Sequence, residues 1–312
     1  MTNILSIFER KPRTVDLVHF TNRFAHRSRK GRDYKRRYFS FARKLKAYEQ
    51  HRGITLTSDS FNYQTTEDVL FFLRDLFPYR TASLISFMGC VSNILNRASR
   101  EGYTVDWGFK DMQLKREETT AVYLCMEEIE RINALTALSD EAKRVRDRFL
   151  LGCCTGLRYS DYSRLTIESI IGEAFHLKTR KTGVKVIIPV HKIVRDVMFR
   201  NSGTLPEIKC SQQAFNATIK RVCRTAGITE KILVERTEGD QITRKKHKKY
   251  ELVASHTARR SFATNLYIAG VATAKIMLLT GHTTEQSFFK YIRISKEENA
   301  SDLSTHPFFT CK

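Results

Sequence analysis

The chain has 312 residues, of which 41% are hydrophobic and 28% charged, so it is long enough for two domains that each bury a core. The 54 Lys and Arg residues against 33 Asp and Glu residues give a formal net charge of +21, which indicates a polyanionic partner, most often nucleic acid and less often an anionic membrane surface. The seven cysteines form no C-x-x-C pair, and no apolar stretch approaches the roughly 20 residues of a membrane span, which excludes a disulfide scaffold, a paired-cysteine zinc site and a membrane-spanning protein.

The N-terminal region is strongly basic. Residues 10–52 carry 15 Lys and Arg against three acids. Residues 34–51 lack Gly and Pro, and Phe41, Leu45 and Tyr48 recur on one face, which predicts an amphipathic helix with an apolar stripe that packs in a core. The dense, one-signed charge around that stripe favours phosphate contacts. The residues expected to bind DNA are Arg27, Arg29, Lys30, Lys35, Arg36, Arg37, Arg43 and Lys44.

Two further helices complete the predicted first domain. A capping signal and an apolar stripe predict one helix over residues 65–78, and a second pattern predicts another over residues 81–100. After an N-terminal stub at residues 1–14, residues 15–103 are therefore predicted to form a compact, basic, all-helical DNA-binding domain. Residues 104–120 lose helical periodicity and gain charge, which predicts a linker.

The second predicted domain, residues 121–295, mixes helices with a small sheet. Three β-rich runs at residues 169–171, 174–179 and 184–189 are separated by tight turns, which predicts a three-stranded antiparallel meander. The polar stretch 231–250 is predicted to be a loop or a flexible hairpin. Helices are expected over residues 126–137, 141–154, 191–200, 212–226, 257–269, 272–279 and 284–291. The fold class expected is mainly α with a small antiparallel β-sheet.

Two arginines of this domain stand beside polar partners. Asp161 follows Arg158 by one helical turn, so its carboxylate could fix the guanidinium, although an ordinary surface pair is an equally simple interpretation. His256 and Arg259 begin a helix and face the same way, where the helix N-terminus favours an anion; a capping histidine and a solvated arginine are the alternative. Arg260 is a competitor for Arg259, but it points about 100° away around the helix.

A histidine and a tyrosine follow closer to the C-terminus. His282 comes directly after Gly281 at the end of an apolar helix, where an imidazole is often only a cap. Tyr291 follows at the end of the next predicted helix and is one of twelve tyrosines. Tyr250 and Tyr267 are rival nucleophiles by residue type, but neither lies in such a setting.

These residue types suit cleavage of a phosphodiester without a metal. Arginines meet the negative charge that develops on the non-bridging oxygens, a tyrosine attacks, and a proton must reach the leaving oxygen. Lys181, in the turn R-K-T-G between two strands, could supply that proton, with Lys178 and Lys185 as alternatives and a solvated turn lysine as the simplest interpretation. A phosphotyrosine keeps the bond energy, so neither a metal nor ATP is expected as a cofactor.

Four segments of the second domain closely resemble the phage-integrase family of tyrosine recombinases. They are T-G-L-R-Y-S-D (155–161), H-T-A-R-R-S-F-A-T-N-L-Y (256–267), L-T-G-H (279–282) and K-Y-I-R (290–293). The resemblance covers residues 123–294, and the wording of the second segment is most like integrases of Bacteroidetes. Residues 15–103 also resemble the helical, SAM-like core-binding domain of that family, without a sharp motif.

The resemblance implies a two-domain DNA clamp that cleaves and rejoins DNA through a 3′-phosphotyrosyl bond. In that mechanism Tyr291 would be the nucleophile, and His256 would assist proton transfer at this tyrosine. Arg158 and Arg259 would bind the scissile phosphate, which His282 would stabilise, and Asp161 would support Arg158. Lys181 would be the general acid. The implied partners are double-stranded DNA and a homotetramer on paired sites, with accessory DNA-bending or directionality proteins as further candidates. The chain shows no counterpart of the separate N-terminal arm-binding domain of larger integrases, which argues against accessory-site binding.

Several functions remain open at this level. The biological task could be integration, excision or inversion of DNA, or the resolution of dimers. A type IB topoisomerase or a non-catalytic DNA-binding regulator would share the fold. Without a signal peptide or a membrane span, a cytoplasmic, nucleoid-associated protein is expected. The tail at residues 296–312 either packs on its own domain or is exchanged between protomers.

Overall fold

The computed structural model describes residues 13–77, 79–114, 120–238, 241–294, 300, 304 and 307–310. The chain divides into two compact units, one formed by residues 1–118 with 236–242 and the other by residues 119–235 with 243–312. No helix within the described ranges is long and apolar enough to cross a lipid bilayer.

In the described part of the first unit, four α-helices surround an aromatic core. They are α1 (Leu17–Arg27), α2 (Arg32–Arg52), α3 (Tyr63–Leu76) and α4 (Thr81–Arg100). Phe41, Leu45 and Tyr48 of α2 are buried in this core, as their spacing predicts. The cap of α3 is Asn62, whose side chain accepts the Thr65 N–H at 2.9 Å, so this helix begins two residues before the predicted start. The helix α1 was not predicted, because polar residues interrupt its short apolar stripe.

The predicted linker is partly a packed segment of the first unit. The ring of Tyr103 meets Phe20 edge-on at 5.9 Å, and Phe109, in a short turn of 3-10 helix, is 3% exposed. The Asp106 carboxylate accepts the Gly108 N–H at 2.8 Å and starts that turn. The predicted linker start at residue 104 is therefore wrong, because irregular backbone can bury aromatic side chains without any helical period. Residues 115–119 lie outside the described residues.

The described residues between 120 and 294 form nine α-helices and two small sheets. The helices are α5 (Met126–Ala134), α6 (Asp140–Thr155), α7 (Tyr159–Tyr162), α8 (Lys192–Arg200), α9 (Gln212–Thr225), α10 (Lys249–Leu252), α11 (Ser255–Ile268), α12 (Thr273–Thr280) and α13 (Glu285–Phe289). Apart from α7 and α10, each begins and ends within three residues of a predicted helix. The mainly α fold with a small antiparallel sheet is confirmed.

The three-stranded sheet has the predicted meander order. Its strands are β1 (Ile170–Ile171), β2 (Ala174–Lys178) and β3 (Lys185–Pro189), paired antiparallel in sequence order. The stretch predicted as a loop or flexible hairpin forms a second, two-stranded sheet from β4 (Lys231–Glu238) and β5 (Gln241–Lys248). The hairpin alternative of the prediction is therefore the correct one. The polar composition had left a loop open as well, because an exposed two-stranded sheet needs no apolar face.

The central helix α6 is buried and packs closely on α11. A Cβ atom at Gly152 would lie 2.9 Å from the Ala258 Cβ, so only glycine permits this approach. The helix ends at Gly156, which adopts φ +64°. A Cβ atom at Gly156 would lie 2.3 Å from the ring of Phe262 on α11. Both glycines therefore set the distance between α6 and α11, and α11 carries two residues of the site described below.

Replacing Gly156 by alanine should destabilise the protein more than the same change at Gly172. Both glycines have positive φ, so each alanine costs about 1 kcal/mol of backbone strain. Only Gly156 faces Phe262, and overpacking adds about 1–3 kcal/mol. The measurement is the midpoint of urea unfolding for both variants. Equal losses would show that Phe262 moves aside freely.

The two chain ends are described only in part. The predicted stub at residues 1–14 lies outside the described residues except for its last two. Of the predicted tail, residues 307–310 form one turn of helix, and most of the remainder lies outside the described residues.

Candidate active site

Five of the predicted site residues meet in the second unit, although four different elements carry them. Arg158 is the residue before α7, and His256 and Arg259 lie on α11. His282 follows α12 and Tyr291 follows α13. The charge of Arg158 contributes to the lowered pKa values of both histidines and of Arg259, so the guanidinium is close enough to interact electrostatically with all three.

Arg259 is the fixed centre of the cluster. Its Nη1 donates to the carbonyl oxygens of Gly156 and Thr280, each at 2.8 Å, and its Nη2 lies 2.8 Å from Nε2 of His282. The side chain is fully buried, and burial lowers its pKa to about 10, so it remains cationic at neutral pH. Its Cζ lies 5.0 Å from the centroid of the Tyr291 ring. Its hydrogen-bond partners among the described residues are neutral, and a buried cation with neutral partners favours an incoming anion.

His282 is held as a neutral imidazole in one orientation. Gly281, at φ +66°, ends α12 and turns the chain so that Nδ1 of His282 lies 2.8 Å from the Thr280 hydroxyl. That hydroxyl donates its own hydrogen to the carbonyl of Ile276, so it accepts from Nδ1–H, and Nε2 is left to accept from Arg259. Burial, and then the charge of Arg259, lower the pKa of His282 to about 3.

The Tyr291 hydroxyl is directed at His256. The distance from this hydroxyl to Nε2 of His256 is 3.1 Å. The backbone of Tyr291 is fixed on both sides, because its N–H donates to the Phe288 carbonyl at 2.7 Å and its own carbonyl accepts from the Thr264 hydroxyl at 3.3 Å. Burial lowers the pKa of His256 to about 4, and neighbouring cations contribute. A neutral imidazole beside the hydroxyl can accept its proton.

Arg158 has donor capacity left for a ligand. Within the described part of the chain, its Nη1 is buried and has no hydrogen-bond partner. Gly156 ends α6 two residues earlier, and Leu157 between them is fully buried, so the chain between the two helices is anchored. A buried guanidinium nitrogen without a hydrogen-bond partner costs folding free energy unless a ligand accepts its hydrogen bond. The arrangement therefore suits an oxyanion between Arg158 and Arg259.

Lys181 lies at the exposed tip of the β2–β3 turn. The base of this turn is closed by two hydrogen bonds of 2.9 Å, from the Thr179 N–H to the Val184 carbonyl and from the Gly183 N–H to the Thr179 carbonyl. Among the described residues, the Lys181 ammonium has no hydrogen bond or ion pair. Its charge contributes to the lowered pKa of His256, so the ammonium lies within electrostatic range of that histidine.

Asp161 does not bond to Arg158, and the predicted support of that arginine is therefore not seen. The carboxylate is fully buried, and its Oδ1 accepts the backbone N–H of Arg180 at 2.9 Å and lies 3.5 Å from Nη2 of Arg164. Oδ2 is buried without a hydrogen-bond partner in the described residues. One helical turn separates Asp161 from Arg158 in sequence, but Arg158 lies outside α7 and has an extended backbone, so helical spacing does not apply to the pair.

The rival residues occupy different surroundings. Tyr267 lies eleven residues after His256 on α11, about 16 Å along the helix axis. Tyr250 packs against the main core of the second unit. Lys178 and Lys185 are paired across the exposed strands, on either side of the turn that carries Lys181. None of these four is among the partners of Tyr291.

The residues predicted to bind DNA all lie in the first unit on or beside α1 and α2. Six are exposed and two are half-buried: Arg27, Arg29, Lys30, Arg36, Arg37 and Arg43, and Lys35 and Lys44. Arg37 donates to the Cys90 sulfur at 3.1 Å and to the Ser86 carbonyl at 3.2 Å. The Lys44 ammonium lies 4.6 Å from the centre of the Tyr79 ring. These two side chains line a groove between α2 and α4 of about 230 Å³.

Arg148 was missed by sequence reasoning. This fully buried side chain donates through Nη1 to the carbonyls of Tyr162 at 3.0 Å and Leu165 at 2.7 Å, and through Nη2 to the carbonyl of Pro206. The Tyr162 hydroxyl in turn donates to the Ser255 carbonyl at 3.0 Å, which connects α7 to the start of α11. The signal in the sequence was an arginine directly before the apolar run F-L-L-G-C-C, where a solvated charge does not fit.

The lowered histidine pKa values predict an acid-sensitive fold. Between pH 6.5 and about 3, the unfolded chain protonates His282 whereas the folded protein does not, so the free energy of unfolding falls as the pH falls. His282→Gln removes this proton uptake and keeps a neutral side chain. We expect the Tm of the DNA-free variant to fall less between pH 7 and pH 5 than the Tm of the wild type. Parallel losses in both proteins would contradict the buried, neutral His282.

Known proteins resemble this chain in sequence and in fold. A model of the Phage integrase family matches residues 123–298. The integrase of Escherichia phage P2 is 23% identical over 195 residues, which cover 62% of this chain and 50% of that protein. The chain thus spans about half the length of this curated relative. No group of three or more His, Cys, Asp or Glu side chains that could hold a metal ion is found within the described residues.

Two solved integrases share the fold over most of the chain. A lambda integrase dimer bound to a COC′ core site matches with a TM-score of 0.66 and 17% identity, covering 90% of this chain and 78% of that one. The Tn1549 transposon integrase in complex with circular intermediate DNA matches with a TM-score of 0.65 and 14% identity, covering 93% and 99%. At these identities the structural matches establish the fold.

Proposed function

We propose that this chain, which belongs to the phage integrase family, is a site-specific DNA recombinase that cleaves and rejoins DNA through a 3′-phosphotyrosyl intermediate. The observation that carries the proposal is the Tyr291 hydroxyl, 3.1 Å from the neutral His256 and beside the buried cation Arg259. A nucleophile, a proton acceptor and an anion-binding group are thus assembled in one place. The P2, lambda and Tn1549 integrases support the same function by similarity.

The proposed cleavage step includes two proton transfers, one from the nucleophile and one to the leaving group. The Tyr291 oxygen attacks phosphorus, the bond from phosphorus to the 5′ oxygen breaks, and a 3′-phosphotyrosine forms. The hydroxyl proton passes to Nε2 of His256, and the Lys181 ammonium gives a proton to the departing 5′ oxygen. Religation runs the same transfers in reverse, so the energy of the broken bond is retained.

Charge on the phosphate would be met by Arg158 and Arg259. The unpartnered Nη1 of Arg158 and the buried guanidinium of Arg259 offer donors to the non-bridging oxygens, and His282 is placed beside them. We expect this neutralisation to suffice without a metal or ATP. Adduct formation in the presence of EDTA and without nucleotide tests this expectation.

The experiment that tests the function is covalent trapping on nicked DNA. A pool of duplexes with randomised sequence around a fixed nick is incubated with the protein, and SDS-resistant protein–DNA adducts are recovered and sequenced. Cleavage next to the nick releases a short strand, so religation fails and the adduct accumulates. A recombinase yields adducts that converge on one sequence and then exchanges strands between two such sites. Supercoil relaxation without exchange would favour the topoisomerase, and the absence of any adduct would favour a DNA-binding regulator.

We further propose double-stranded DNA as the substrate and a homotetramer on paired sites as the active assembly. A solved lambda integrase of similar fold is a tetramer bound to a Holliday junction, which supports this assembly by similarity. Action on DNA implies the cytoplasm and the nucleoid, with accessory DNA-bending or directionality proteins as candidate partners. The amino-acid sequence of residues 256–267 favours a Bacteroidetes lineage. It also favours a mobile element or an invertible DNA segment as the biological context.

A further inference from the structure

The short helix α7 is hydrogen-bonded to the turn between β2 and β3. On one strand of the hairpin, the Arg164 Nη2 donates to the backbone carbonyl of Lys178 at 2.8 Å. Two residues later, the backbone N–H of Arg180 donates to the Asp161 carboxylate at 2.9 Å. Arg164 and Asp161 also lie 3.5 Å apart. Asp161 on α7 and Arg164, two residues after the helix, therefore bind the backbone of the hairpin at two points, through one acceptor and one donor.

Both points of attachment lie next to Lys181. The Arg180 N–H belongs to the residue directly before Lys181, and Thr179 between the two attachment points is buried. The Thr179 hydroxyl lies 2.8 Å from the Thr182 hydroxyl and accepts the Val184 N–H at 3.2 Å, which closes the turn from the inside. Only the tip that carries Lys181 is left exposed without an attachment among the described residues. The position of the backbone at Lys181 therefore determines which atoms its ammonium can contact.

We propose that Asp161 and Arg164 are positioning residues for the general acid Lys181. This inference rests on the proposed function, since it assigns to α7 the task of holding the lysine at the leaving oxygen. It differs from support of Arg158, because the carboxylate bonds to the hairpin and Arg158 has no partner there. It also explains a buried carboxylate, since charge-assisted bonds to a backbone amide are strong where water is excluded.

The chemistry of the leaving group distinguishes a role in general acid catalysis from a role in binding the phosphate. A substrate with sulfur in place of the bridging 5′ oxygen releases a thiolate, and because a thiol has a pKa of about 8.5, it departs without a general acid. Loss of the phosphate-binding arginines slows cleavage of both substrates. Loss of the general acid, or of its position, slows cleavage of the oxygen substrate alone.

The test compares single-turnover cleavage of the two substrates, each nicked beside a site found by trapping. Lys181→Ala should slow the oxygen substrate by about 10²-fold to 10⁴-fold and leave the sulfur substrate near the wild-type rate. Arg164→Met should slow the oxygen substrate by about 10-fold to 100-fold, because a displacement of about 1 Å costs up to 10². Its sulfur rate should stay within about two-fold of wild type. Arg221→Met, a change at another exposed arginine of the same unit, is the matched control and should alter neither rate.

Two variants of the buried carboxylate sharpen the result. In Asp161→Asn the amide oxygen can still accept the Arg180 N–H, whereas Asp161→Ala removes the acceptor. If Asp161 positions Lys181, the asparagine variant should cleave the oxygen substrate faster than the alanine variant does. The two variants should cleave the sulfur substrate at similar rates. An electrostatic role toward the arginines predicts equal losses in both variants and on both substrates.

The possible outcomes decide the proposal. Selective loss on the oxygen substrate in Arg164→Met supports it. Equal loss on both substrates, or no loss on either, overturns it. The proposed function is judged separately, because wild-type protein must form an adduct on both substrates and Tyr291→Phe on neither before the variants are compared.

Discussion

Tyr291→Phe is expected to abolish the covalent protein–DNA adduct while the protein stays folded and bound to DNA. The change removes only the hydroxyl that faces His256 at 3.1 Å. The aromatic ring keeps its contacts with His282, at 4.7 Å between ring centroids, and with the Arg259 guanidinium. Because a single hydrogen bond is lost, the free energy of unfolding should change by no more than about 1.5 kcal/mol.

The measurement is SDS-resistant adduct on a nicked duplex, together with affinity for an intact duplex of the same sequence. Tyr267→Phe is the matched control, because Tyr267 is a partly exposed tyrosine of the same unit at the far end of α11. That variant should form adduct as the wild type does. An adduct formed by Tyr291→Phe would exclude Tyr291 as the nucleophile and leave Tyr250 or Tyr267 to be tested.

Arg259→Lys is expected to slow cleavage by about 10²-fold to 10³-fold, although the charge is kept. The guanidinium reaches two carbonyls through one nitrogen and His282 through another, a planar pattern that an ammonium does not reproduce. A lysine would also leave the Gly156 or Thr280 carbonyl without its donor, which costs about 1–3 kcal/mol of stability. The rate of adduct formation should therefore be measured at a temperature where the variant is fully folded.

The neighbouring Arg260→Lys provides the control for this prediction. Arg260 lies on the same helix and is half-buried, but it has no hydrogen bond to the site among the described residues. We expect its cleavage rate to stay within a few-fold of wild type. Similar losses in both lysine variants would indicate a general need for arginine on α11, and a mild loss in Arg259→Lys would mean that charge alone suffices.

Sequence patterns predicted most regular elements because their causes are local. The stripe of Phe41, Leu45 and Tyr48 identified α2, and the turn R-K-T-G identified the β2–β3 hairpin. The packed segment around Phe109 escaped prediction, because its burial depends on residues distant in the chain. The hairpin at residues 231–248 was predicted only as an alternative to a loop, since exposed strands carry no apolar period.

In the candidate site, too, the sequence predicted some features and only the structure showed others. Residue types and spacing singled out Arg158, His256, Arg259, His282 and Tyr291, and the structure places these five together. The role of Asp161 could not be predicted, because its neighbours in sequence suggest Arg158 whereas its neighbour in space is the Arg180 amide. Arg148 likewise acquires its role from three carbonyls that the chain brings to it from later segments.

By itself, the sequence determined the basic character of the protein, the mainly helical fold, the family and the residue types at the candidate site, since charge, periodicity and motif spacing are properties of the chain. Only the tertiary structure decided which side chains touch. It assigned the Tyr291 hydroxyl to His256, the Arg259 guanidinium to Gly156 and Thr280, and the Asp161 carboxylate to the hairpin. Hydrogen bonds require atoms within about 3 Å, and such distances are set by packing between elements far apart in sequence.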